Sequence, residues 1–154
     1  MKRRTTERME KKTTESVPEY IKKRVHDLYW NGDVNCARTT LLILSELYEI
    51  PLEAQTLQAA AGLHGAGGYR AQCGLVEGSI LFLGIYCGVR GKSEKETVDV
   101  IYRYAAAFET HFGSLRCREL RPGGFTPQDP PHLCEKLSCE AVEFIWNYIQ
   151  KLES

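Results

Sequence analysis

Apolar residues recur at helical spacing in one segment after another, and that repetition constrains the fold more than any other feature. Pro18 suits the first turn of a helix, and Val17, Ile21, Val25, Leu28 and Tyr29 follow on one face. After Asn31-Gly32-Asp33, residues 35–49 carry two apolar rows, Ala37, Leu41, Leu44, Tyr48 and Cys36, Ile43, Leu47. A helix apolar over so wide an arc is mostly buried. Pro51 opens a further helix through Leu57 to Leu63, and a glycine-rich break from Gly62 to Gly68 leads to a helix from about Tyr69 to Cys87. Residues 93–112 form an amphipathic stretch with Val98, Ile101, Tyr102, Ala105, Phe108 and Phe112 on its stripe. A short helix starts at Gly113-Ser114, a Pro- and Gly-rich loop spans Arg121 to Pro131, and the last helix presents Leu133, Leu137, Ala141, Phe144, Tyr148 and Leu152. No strand alternation and no internal repeat interrupts this order. The expected fold is all-α, a single compact bundle of about six or seven helices over residues 17–154, behind a solvated basic lead-in over residues 1–16.

Composition supports one domain and excludes several roles. The 154 residues are 43% hydrophobic and 26% charged, enough apolar material for a core. Twenty basic residues balance twenty acidic ones, so no overall basic field exists for gripping nucleic acid. The longest uncharged apolar run, Gly78 to Val89, falls short of the about 20 residues a membrane span requires. Arg3-Arg4 stands where a twin-arginine export signal would begin, but Glu7, Lys11, Lys12 and Glu15 replace the apolar stretch that must follow. The expected compartment is the cytoplasm, where thiols stay reduced unless they are catalytic, redox-sensing or metal-bound.

The six cysteines are too sparse for a disulfide-built scaffold, whose cysteine content runs to roughly 8–10%. Four of them fall at predicted helix starts. Cys36 follows Asn35, a good cap, with Asp33 as its rival. Cys73 lies just inside the helix after the glycine-rich break. Ser114 caps the short helix and makes Cys117 its third residue, and Cys134 follows Asp129-Pro130-Pro131. Unpaired amides and the positive end of the helix dipole favour thiolate there, helped by nearby Arg38, Arg70, Arg116 and Arg118. Cys87 ends a helix and reads as buried filler, while Cys139 turns away from Cys134 toward Trp146. Gly74 and Gly78 are four apart, as are Gly84 and Gly88, which suggests a tight helix crossing beside Cys73.

Asn35-Cys36-Ala37, the glycine-rich lead into Cys73-Gly74-Leu75-Val76-Glu77-Gly78, Phe112-Gly113-Ser114 with Cys117-Arg118-Glu119-Leu120, and Cys134 before the terminal helix together resemble the C-GCAxxG-C-C family of redox-active proteins. The resemblance spans roughly residues 30–145 and implies that Cys36, Cys73, Cys117 and Cys134 are the family's four characteristic cysteines. Leu75 departs from the Ala usual in the motif.

Three readings stay open. In the first, the four cysteines carry thiol–disulfide or sulfenic-acid redox chemistry with a redox partner protein or a small thiol or disulfide, Cys36 or Cys73 attacking and another cysteine resolving. In the second, the same four thiolates hold zinc or an iron–sulfur cluster, although no local C-x2-C is present. In the third, the chain is a helical interaction module with inert buried cysteines. His64, His111 and His132 are candidate bases or ligands, and His26 lies on the first helix. Glu77 and Glu119 are candidate proton acceptors beside thiols, with a solvated or salt-bridged role as the plainer reading. No nucleotide loop, Ser-His-Asp arrangement or HExxH occurs.

Overall fold

The computed structural model describes residues 15–121 and 128–154, and every element in it is helical. Helix α1 (Val17–Trp30) begins at Ser16, whose side chain accepts a hydrogen bond from the Glu19 amide, and buries the expected face of Val17, Ile21, Val25, Leu28 and Tyr29. Helix α2 (Cys36–Tyr48) begins at Asn35, whose side chain accepts from the Arg38 amide at 2.9 Å. Short α3 (Ala54–Ala59) precedes a glycine turn, Gly65–Gly68. Then come α4 (Gly74–Val89), α5 (Glu94–Phe112), the single turn α6 (Cys117–Leu120), a 3-10 turn (Pro131–Cys134) and α7 (Glu135–Glu153). Residues 1–14, most of the expected lead-in, and residues 122–127 of the Pro- and Gly-rich loop lie outside the described residues.

Helix α4 is the centre of the bundle. Its Leu75, Val76, Phe82, Leu83, Tyr86 and Cys87 are buried on nearly all sides. Leu41 and Leu44 of α2, Tyr104 and Phe108 of α5, and Ile145 and Ile149 of α7 complete this core. A second core joins α1 to Ile43 and Leu47 of α2 and Val142 of α7. The crossing of α2 and α4 is close because Gly78 leaves no side chain between them: a Cβ there would lie 2.6 Å from the Ala37 carbonyl oxygen. Gly84 and Gly88 face open space, so only the first glycine pair serves a crossing.

Several boundaries and faces differ from the expectation. Helix α4 starts at Gly74, not Tyr69, because Cys73 is extended and Gln72 pairs antiparallel with Arg116. The helix expected after Pro51 starts at Ala54. The α5 core face is Val100, Tyr104 and Phe108, whereas Val98 and Tyr102 are 60% and 75% exposed. Apolar residues lie on opposite sides of this helix, and periodicity alone does not choose between them. Helix α7 is likewise rotated, burying Ser138, Ala141, Val142, Ile145 and Ile149 while Leu133 and Leu152 stay exposed.

Candidate functional site

Each of the four helix-start cysteines owes its position to local backbone chemistry. Cys36 is the first residue of α2. Asn35 fixes that end twice, since its side-chain amide also donates to the carbonyls of Ala60 and Ala61 at 3.1 and 2.8 Å. Cys36 Sγ lies 4.0 Å from the Leu63 carbonyl oxygen. Cys73 is the N-cap of α4 rather than a residue inside it. Cys117 is the first residue of α6, with Arg116 as its cap. The Ser114 side chain accepts from the Arg116 amide at 2.9 Å, so the cap expected at Ser114 falls two residues later, at Arg116, and Ser114 closes the turn before it. Cys134 ends the 3-10 turn and caps α7.

Two hydrogen bonds place Cys73 beside Cys117. The Cys73 amide donates to Leu115 O and the Cys117 amide donates to Ala71 O, both at 2.8 Å, on either side of the Gln72–Arg116 bridge. Side chains alternate across an extended pair. Gln72 and Arg116 therefore line a groove on one side, while Cys73 and Cys117 face the other.

All four cysteines line one recess of about 280 Å³, together with His64, Arg121 and Asp129. Arg121 pairs with Asp129 at 3.4 Å at its edge. Cys87 is fully buried in the core and Cys139 packs in the second core near Trp146, so neither joins the recess. All six cysteines are free thiols. Among the described residues, no three or more His, Cys, Asp or Glu side chains are grouped as ligands of one ion.

Of the other candidates, only His64 reaches this recess. His111 stacks on Phe144 at 4.9 Å, His132 stacks on Trp30 at 3.9 Å, and His26 Nδ1 sits 2.6 Å from a Glu135 carboxylate oxygen. Glu119 meets the Ser114 hydroxyl at 2.5 Å. Burial raises the Glu77 carboxyl, which lies outside the recess.

Burial sets the electrostatics. It pushes the Cys36 thiol far up, with repulsion from Cys73, Cys134 and Cys117 adding to it. It raises Cys73 to about 12 against the opposing amides of Leu75 and Val76. Cys117 and Cys134 are also raised by burial, and here arginines oppose it: Arg121 and Arg70 at Cys117, and Arg121 by charge and hydrogen bond at Cys134. The expected net preference for thiolate at the helix starts is thus reversed. Amides do favour the charged form, but the loss of solvent outweighs them.

Sequence reasoning missed two supports of Cys134. The Tyr29 hydroxyl, fully buried, lies 2.5 Å from Ser138 Oγ, and Ser138 donates to the Cys134 carbonyl at 2.7 Å. With the serine proton committed to that carbonyl, Tyr29 is the donor of the first bond. Arg121 and Asp129 were also unmarked. In the sequence, Arg121 to Pro131 reads as a loop whose Asp129-Pro130-Pro131 end signals a helix start, and nothing in its composition marks an ion pair at a thiol.

No curated protein and no solved structure matches the chain. Residues 34–148 match a family model described as "Putative redox-active protein (C_GCAxxG_C_C)". That span holds every cysteine of the recess, and the chain belongs to the C_GCAxxG_C_C family.

Proposed function

We propose that the protein is a thiol–disulfide exchange protein whose working groups are Cys36, Cys73, Cys117 and Cys134. The observation that carries this reading is their common recess, filled from four separate stretches of chain. Cys134 is the attacking thiol in preference to Cys36 or Cys73. Cys134 and Cys36 are both half-buried, but Arg121 favours the charged form of Cys134 by charge and hydrogen bond, whereas burial and the other three cysteines push Cys36 far up.

The reaction balances as a two-electron exchange. The Cys134 thiolate attacks one sulfur of a disulfide on a partner protein or small molecule, breaking that bond and releasing one substrate thiol. Cys117 then attacks the Cys134 sulfur, releasing the second substrate thiol and leaving a Cys117–Cys134 disulfide. The substrate gains two electrons, the protein loses two, and the protons of Cys134 and Cys117 end on the departing sulfurs. A second dithiol restores the protein by the reverse sequence. Cys73, held beside Cys117, and Cys36, against α4, extend the set inward. A cytoplasmic setting suits this reading because the resting thiols stay reduced there.

The test is exchange with a small aromatic disulfide under anaerobic conditions, monitored by released thiol. Cys134→Ser should abolish fast release, Cys117→Ser should trap a mixed disulfide, and Cys87→Ser and Cys139→Ser should match the parent. Stoichiometric zinc or iron in anaerobically purified protein, with no exchange, would replace this reading by a metal site on the same four residues.

A further inference from the structure

The glycine turn after α3 brings a histidine to the thiols. Its flanks touch two of the four cysteines: Leu63 offers its carbonyl oxygen 4.0 Å from Cys36 Sγ, and Gly65 packs so closely that a Cβ there would lie 3.3 Å from Cys117 Cβ. His64, between them, lines the recess with all four thiols. Its Nδ1 is buried and has no hydrogen-bond partner. A buried polar atom left unpaired costs about 1–3 kcal/mol, so its retention calls for a reason. The turn also holds backbone strain, since Ala66 adopts φ 55° and ψ 64°, a left-handed conformation that L residues avoid.

We infer that His64 is the proton carrier of the recess, taking the proton from an attacking thiol and returning it to the departing sulfur. This rests on the thiol-exchange reading and supplies what that reading lacks. Buried thiols held in the neutral form need an acceptor before they attack at neutral pH. In the first half-step the S–H bond of Cys134 or Cys117 breaks, an N–H bond forms on the imidazole, and a thiolate–imidazolium pair results. After the exchange, the imidazolium gives its proton to the leaving thiolate, and the ring is neutral again. No electrons move in the proton steps. The other titratable or charged groups facing the recess are the four thiols, Asp33, Asp129 and Arg121. None combines a proton-accepting nitrogen with a buried, unpaired position.

The experiment is alkylation of native protein by iodoacetamide from about pH 5.5 to pH 10, with Cys134 and Cys117 followed separately by peptide mass spectrometry. Wild type should show, below the inflection of the thiol itself, a second inflection that marks general-base help from a neighbouring group. His64→Gln should lose that inflection, react about 10–100-fold more slowly at pH 7, and converge with wild type near pH 10. Identical profiles would overturn the inference, as would a drop by one constant factor at every pH, which marks a packing role. If His64→Gln fails to fold, a wild-type profile without the inflection is decisive against it. The readout does not involve a disulfide. Absent exchange with an intact inflection would remove the proposed function alone, and exchange without the inflection would remove only the role of His64.

Discussion

Gly74 leaves room for the sulfur of Cys36 and for nothing more. A Cβ built on Gly74 would overlap both Cys36 Sγ and the Leu63 carbonyl oxygen. The glycine that follows Cys73 therefore seats the sulfur of a residue far away in sequence. Gly74→Ala should expel Cys36 from its place and cost about 1–3 kcal/mol as an overpacked contact. Gly84→Ala, facing open space on the same helix, should gain up to about 1 kcal/mol from helix propensity. Urea unfolding of the two variants measures both signs.

The Tyr29–Ser138–Cys134 chain ties α1 to the residue that caps α7. Tyr29→Phe removes the donor to Ser138 Oγ while leaving the Ser138 bond to the Cys134 carbonyl in place. The expected loss is about 0.5–1.5 kcal/mol, read as a lower urea midpoint with an unchanged slope.

Arg121 and Asp129 act on Cys134 with opposite signs. Arg121 favours the thiolate and Asp129 disfavours it. Arg121→Gln should slow alkylation of Cys134 at pH 8 several-fold, and Asp129→Asn should speed it. Changes of the same direction in both variants would point to altered packing instead. The check is the Cys134 rate alone, since Cys117 shares only the Arg121 influence.

Alkaline pH should weaken the fold through the same buried thiols. Cys73 ionises near about 12 in the folded protein, above its ordinary value of 9.0. The unfolded chain therefore loses its proton first, binds fewer protons than the native state, and gains relative stability as pH rises. The contribution of Cys73 is intact below about pH 9 and is lost progressively up to about pH 12. Urea midpoints of wild type should fall more steeply between about pH 9 and pH 10 than those of Cys73→Ala.

Local signals in the sequence were faithful where the chemistry is local. Asn35 caps α2 as its side chain dictates, and Val17, Ile21, Val25, Leu28 and Tyr29 face the core as their spacing dictates. The close crossing at Gly74 and Gly78 was visible because glycine inside a helix requires compensation. What escaped was non-local. The Gln72–Arg116 bridge is too short to generate a periodic pattern, so α4 read as starting too early. Tyr29 read as an apolar face residue because its hydroxyl partner, Ser138, is 109 positions away. The ionisation of the thiols was misjudged for a related reason. Helix starts are legible in sequence, but the depth of burial at Cys36 and Cys73 is not, and burial decides the sign.

Thiol exchange here requires one set of sulfurs acting together. The direct measurement is disulfide mapping by mass spectrometry after equilibration in an oxidising glutathione buffer, followed by return to reducing conditions. The expected result is reversible intramolecular disulfides that join only Cys36, Cys73, Cys117 and Cys134, beginning with Cys117–Cys134, while Cys87 and Cys139 remain thiols. Four thiols that stay reduced, or disulfides that recruit Cys87 or Cys139 as readily as the others, would contradict it.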